Sequence, residues 1–255
     1  MRLFVLAVLI ALAGCSSGGK PEPVATNPAG QLPGRSDYGV FLTPLSLGPP
    51  GCKAKGSCTL LSDLEFRDTK QSLVWSAAKG NTTDGASIPR IFQPFVGSPF
   101  DSAYLKAAVI HDHYCDRHVR DFLTTHRVFY NAMMAMNLDR KKALIMYAAV
   151  LIGGPKWLKV EDGQPCGPLC VRNARLASYG IRVSGDGREV FRAARYEDPA
   201  IRQTMQDVAD VIAAQKIDLS PEDIDALVQK RMLGDPMMQN AGRLTVSTRD
   251  LLPRG

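Results

Sequence analysis

Apolar and polar positions alternate in short runs at the start of the chain and recur at helical spacing afterwards. "LEFRD" (Leu64 to Asp68) and "SLVWSAA" (Ser72 to Ala78) mix apolar and polar residues between turn-formers, which predicts short strands over residues 38–78. A helix is then predicted from Asp101 or Ser102 to about Arg117, with Leu105, Ala108 and Val109 on one stripe. A second runs from about Asp121 to Met136, with Phe122, Phe129 and Met133 facing the core. A third covers about Asp139 to Ile152 and stops at "GGP"; its "ALIMYAAVLI" is too short to cross a bilayer and reads as a buried helix. Beyond the loop "EDGQPCGPLC", the segment "IRVSGDGREVF" predicts a hairpin turning at Gly185 to Gly187. Helices follow at 199–215 and 221–232, the latter with Ser220 as N-cap and Pro221 in first position. The tail after Gly234 shows little pattern, and no internal repeat is visible. The fold class is α+β: a small antiparallel sheet, a three-helix core and a mainly helical C-terminal extension.

The N-terminus changes this picture. "MRLFVLAVLIALAGCSS" has a basic residue, an apolar run and then small residues, the pattern of a secretory signal. Its junction "LAGC" resembles a bacterial lipobox. That resemblance implies a signal peptide over residues 1–14, lipidation of Cys15, and, with Ser16 following, anchorage in the outer membrane, facing the periplasm or the cell surface. Residues 15–35 are rich in Ser, Gly, Pro, Ala and Asn and read as a tether spanning roughly 25 Å. The motif-bearing core is expected at 36–160 and the extension at 161–255. The membrane, through Cys15, is thus the expected partner, with an envelope protein or lipid beyond it.

Composition narrows the function classes. Hydrophobic residues make up 45% of 255, enough to build a core. The net charge of +6 comes without a long Lys/Arg run or a nucleic-acid motif, so nucleic-acid binding is not expected. Export permits disulfides, and Cys52/Cys58 and Cys166/Cys170 form two close pairs, which makes local bridges the simplest assignment; a zinc site and other connectivities remain open.

All four histidines fall between His111 and His126, three of them inside "AAVIHDHYCDRH". On a helical wheel His111, Cys115 and His118 share one face, Asp112 lies beside it, and His113 points away and is expected to be solvated or loosely packed. Three readings compete. His111, Cys115 and His118 could bind zinc, with His126 or Asp84 as fourth ligand. The pair His111 and Asp112 could be catalytic, with the imidazole as general base and the carboxylate holding a cation. Or His111 is a hydrogen-bonded core histidine and Asp112 a structural anchor. Asp84 sits in the constrained loop "NTTDGASIPR", and the second helix should return antiparallel. Asp84 and His126 are therefore both expected near the His111–Asp112 pair.

"TDGASIPR" (Thr83 to Arg90), followed by a helix carrying "HD" (His111, Asp112) and a helix carrying Phe129, Ala132 and Met133, resembles the bacterial and phage family called domain of unknown function 1353. The resemblance covers roughly residues 38–157 and implies no established activity. Where that family usually has an Asp three residues before the Phe, this chain has His126, so a role for that carboxylate does not carry over. More loosely, "GSP" (Gly97 to Pro99) before "HDHYC" (His111 to Cys115) resembles the small secreted calcium-dependent phospholipases. That likeness implies His111 as the base and Asp112 as a calcium ligand. The function expected is a hydrolase using His111, Asp112 and Asp84, more weakly His126. A divalent cation, calcium or zinc, would sit on Asp112 and Asp84, and the substrate would lie in the envelope. The alternative is a non-enzymatic envelope scaffold or protein-binding lipoprotein.

Overall fold

A computed structural model describes residues 37–49, 52, 56–86, 97–161, 176–215, 218–243, 245–247 and 250–251. The expected signal and tether, Cys15, Ser87 to Arg90, and Cys166 and Cys170 lie outside the described residues. The fold is α+β. Strands β1 (Gly39–Phe41), β4 (Leu64–Asp68) and β5 (Leu73–Ala77) form one antiparallel sheet in the order β1-β4-β5. Strands β2 (Leu47–Gly48), β3 (Cys58–Leu60) and β6 (Thr82–Thr83) form a second, in the order β2-β3-β6. In β4 the alternation puts Leu64, Phe66 and Asp68 inside and leaves Arg67 exposed. Cys52 and Cys58 are joined, with Cα atoms 4.9 Å apart, and Cys58 pairs with Thr83 across the second sheet.

The helices follow. α1 (Leu105–Arg117) begins later than its polar residues suggested. Asp101 closes a turn instead, its carboxylate accepting from the Ala103 N–H at 2.9 Å, and Tyr104 occupies the N-cap without a side-chain bond. α2 (Phe122–Ala135) is capped by Asp121, which accepts from Thr124 N, and α3 (Arg140–Gly153) by Asp139, which accepts from Lys142 N. A short connection turns α2 back along α1. α3 is apolar nearly all round and is accordingly buried.

After α3 the chain forms β7 (Lys156–Lys159), which pairs with β9 (Glu189–Arg192), itself paired with β8 (Arg182–Val183). α4 (Pro199–Ala214) and α5 (Pro221–Arg231) pack on α3, and a short α6 (Pro236–Gln239) buries Met237 and Met238. β7 and α6 were not anticipated from the pattern. One hydrophobic cluster runs from Leu60 to Leu251, so the C-terminal elements share the core of the helices. Among the described residues no helix is long and apolar enough to cross a membrane.

Candidate functional site

Asp84 enters the site from the end of β6. Thr83 is buried there, and its hydroxyl donates to Asp112 Oδ2 at 2.8 Å while accepting from the Gly85 N–H at 3.0 Å. Gly85 takes φ +86°, and a Cβ on it would stand 2.5 Å from the Pro99 carbonyl oxygen. That carbonyl accepts from Ala86 N at 2.9 Å, so the loop is pinned to α1 on one side and to Pro99 on the other. Only a residue without a side chain fits that approach. Asp84 is left exposed at the mouth of a cavity of about 400 Å³. His111, Asp112 and Cys115 line the same cavity, with Tyr196 and Pro155 on another wall. The expected meeting of Asp84 with the His111–Asp112 pair is therefore seen.

Beneath the cavity wall two imidazoles meet. His111 Nε2 lies 2.8 Å from His126 Nδ1 and 3.4 Å from Cys115 Sγ. His126 is fully buried, and its Nε2 lies 3.0 Å from the Pro155 carbonyl oxygen. A carbonyl only accepts, so His126 carries its proton on Nε2 and presents a bare Nδ1. His111 then donates from Nε2, so in the neutral ring Nδ1, 3.7 Å from Asp112 Oδ1, is the unprotonated atom. With Nε2 of His111 protonated, that nitrogen cannot take the proton of the Cys115 thiol. Burial pushes the Cys115 thiol well above its ordinary value, and Asp112 and Asp116 push it further. Burial likewise holds His126 well below the usual imidazole range, with the charges of His111 and Lys156 adding to the effect. Burial raises the Asp112 carboxyl above the usual range; His111 and Thr83 oppose the rise and Asp84 adds to it.

Two histidines fall elsewhere. α1 ends at Arg117, and His118 takes the left-handed conformation at φ 52°, which carries its ring off the helical stripe. It stacks on Trp157 at 4.3 Å between centroids and reaches Glu189 at 2.6 Å. It is not part of the cluster, and His126 stands where the helical spacing had placed His118. His113 is buried rather than solvated, between Asn81 and Arg117. Burial and the Arg117 charge lower it to about 4. In the "GSP" segment Ser98 O accepts from Asp101 N and Tyr104 Oη, and Pro99 O from Ala86 N.

Tyr196 carries no sequence signal. It reaches the cavity because Gly153 lets it in: a Cβ there would stand 2.7 Å from the Tyr196 ring. Burial raises its phenol above the usual range, and Cys115, Asp112 and Asp84 contribute in that order.

The chain is similar to two uncharacterized proteins of Sinorhizobium fredii. It is 50% identical to y4iH over 114 residues, covering 44% of this chain and 48% of the relative. It is 40% identical to y4jT over 135 residues, covering 50% of this chain and 40% of the relative. The chain thus spans about half or less of the length of these curated relatives. No solved structure matches it. Residues 58–150 match the model of one family, and they carry Asp84, His111, Asp112, Cys115 and His126, whereas Pro155 and Tyr196 lie beyond the match. That model is of the family described as protein of unknown function (DUF1353), to which the chain is similar over that segment.

Proposed function

We propose that the chain is an envelope lipoprotein whose cavity hydrolyses a substrate presented at the membrane. One observation carries the reading: Asp84, His111 and Asp112 line a single cavity, and the hydrogen bonds beneath it engage His111 through Nε2, so that the neutral ring turns its other nitrogen, Nδ1, toward Asp112 as proton acceptor. A water in the cavity would lose a proton to that nitrogen as its oxygen attacks the scissile carbonyl or phosphorus. The leaving group would take the proton back from the imidazolium. Asp112 is placed to stabilise that imidazolium. Three carboxylates, Asp84, Asp112 and Asp116, face the same space, so a neutral ester or amide suits it better than a bare anion unless a cation intervenes. The lipobox-like junction at Cys15 supports the envelope location.

The test is a screen of the purified full chain against ester, amide and phosphodiester substrates, with and without divalent cations. His111→Ala should lose about 10²–10⁴-fold in rate while staying folded. Undiminished hydrolysis in that variant contradicts the reading.

A scaffold reading has its own support in the Thr83–Asp112 bond, which fastens the loop to α1. On that reading His111→Ala costs stability, and the wild-type chain hydrolyses nothing in the screen.

A further inference from the structure

The histidine pair and Cys115 form a ligand set that hydrolysis by His111 alone does not require. Three donor atoms, His111 Nε2, His126 Nδ1 and Cys115 Sγ, lie within 4.8 Å of one another. We propose that they hold one soft divalent cation of the zinc class, with its remaining position open to the cavity.

Geometry supports this first. Tetrahedral zinc, with bonds of about 2.0–2.1 Å to nitrogen and about 2.3 Å to sulfur, sets its ligand atoms roughly 3.3–3.6 Å apart. The separation of His111 Nε2 from Cys115 Sγ, 3.4 Å, already matches, and the His126 nitrogen lies within 4.8 Å of that sulfur. The two nitrogens, at 2.8 Å, would open by about half an ångström, the change expected when a cation replaces a shared proton. His111 and Cys115 are one helical turn apart on α1, so both point to the same spot, and α2 brings His126 from the opposite side.

The outer contacts support it independently. Metal-bound histidines usually donate their other ring N–H to a carbonyl or a carboxylate. His126 Nε2 donates to Pro155 O at 3.0 Å, which leaves Nδ1 as the ligand atom. On His111 the atom opposite the ligand nitrogen is Nδ1, and Asp112 is the carboxylate beside it at 3.7 Å. Gly154 lets the chain close on His126: a Cβ there would stand 3.2 Å from the ring's Cε1 and 2.3 Å from Val150 O. The donors also select the ion. Two imidazoles and a thiolate suit zinc, cobalt, nickel or ferrous iron, whereas calcium and magnesium take oxygen ligands.

Proton balance is simple. Binding expels the Cys115 thiol proton to solvent, and the His111 proton shifts from Nε2 to Nδ1, facing Asp112. One cation enters and one proton leaves. His111 and Cys115 line the cavity while His126 lies behind them, so the open position faces Asp84 and Tyr196. The binding claim stands apart from the hydrolase reading; only the cation's task rests on it. There the cation would take over activation of water, leaving Asp84 and Asp112 as proton acceptors.

The experiment titrates metal-free full chain with cobalt(II). The expected result is one equivalent bound, with the visible bands of a tetrahedral site and a near-ultraviolet thiolate charge-transfer band. Cys115→Ser should remove the thiolate band, His126→Gln should weaken binding at least 100-fold, and Asp112→Asn should weaken it about 10-fold. His118→Asn should change nothing. X-ray absorption of the zinc-loaded wild-type chain should show two nitrogens and one sulfur among the nearest ligands, and it needs no variant to fold. Absence of stoichiometric binding, or a bound ion with no sulfur ligand, overturns the proposal. A loaded chain that hydrolyses nothing overturns the hydrolase reading alone; hydrolysis by a chain that binds no metal overturns the site alone.

Discussion

Asp68 and Asp112 are both carboxylates withdrawn from solvent, and the fold treats them differently. Asp68, at the end of β4, is fully buried and surrounded by donors. Gln71 N and Nε2 bond its two oxygens at 3.0 and 2.9 Å, and Asn131 Nδ2 approaches both, at 3.2 and 2.9 Å. It joins the first sheet to α2 and has nothing left to offer a ligand. Asp112, its side chain 17% exposed, holds one hydroxyl, Thr83 Oγ1, and faces the His111 ring across 3.7 Å at the edge of a cavity. A carboxylate satisfied on all sides serves the fold. One that, among the described residues, accepts a single hydroxyl and stands beside an imidazole and a cavity is available for chemistry.

The largest effect that would break this contrast is at Asp68. Asp68→Ala leaves the Gln71 and Asn131 amides without an acceptor in the interior and should cost about 3 kcal/mol or more. Urea unfolding monitored by tryptophan fluorescence would measure it. A loss under 1 kcal/mol would mean that the donor shell is ornamental and the contrast false.

Gly85 comes next. Gly85→Ala meets a left-handed backbone and the Pro99 carbonyl together, and should cost about 2 kcal/mol. It should also shift Asp84 away from the cavity, so on the proposed hydrolase reading turnover should fall more than stability alone explains. Equal stability in the two proteins would show that the loop is not pinned as described.

A smaller effect, graded by pH, separates His113 from the cavity groups. Its folded value of about 4 lies below the unfolded imidazole value near 6.5. The unfolded chain therefore binds the proton more readily between those values, and stability falls as pH drops through that window. His113→Asn should make that acid limb shallower; His126, depressed in the same direction, keeps part of it. Melting temperatures from pH 7 to 4 would show the change, and identical slopes would contradict it.

Much of this was legible along the chain. The stripes and caps of α2, α3 and α5 name their own ends, because Asp121, Asp139 and Ser220 each accept a backbone N–H where a helix begins. The loop and "HD" residues pointed to one place, because a pinned loop and an antiparallel helix pair leave few alternatives. What stayed hidden depended on tertiary partners. Lys156 looks like a surface residue, yet its amine is buried and donates to Ile152 O and Gly154 O at the end of α3, so β7 does not announce itself. His118 left the cluster through a single left-handed residue. Tyr196 joined the cavity only because Gly153 made room for it from a distant turn.

The central claim is that Asp112 is kept for the cavity and not for the fold. Burial holds its folded carboxyl above the unfolded value, so ionisation works against folding, and its contribution falls as pH rises from the unfolded value toward the folded one. The direct test is equilibrium unfolding of Asp112→Asn beside Asp68→Asn at pH 7, with turnover measured on the same samples. The account predicts that Asp68→Asn loses stability and keeps its rate per folded molecule. Asp112→Asn should be as stable as wild type or more so, and, on the proposed hydrolase reading, lose turnover. If Asp112→Asn instead costs as much stability as Asp68→Asn and leaves turnover unchanged, Asp112 is a structural anchor and the cavity is not the site.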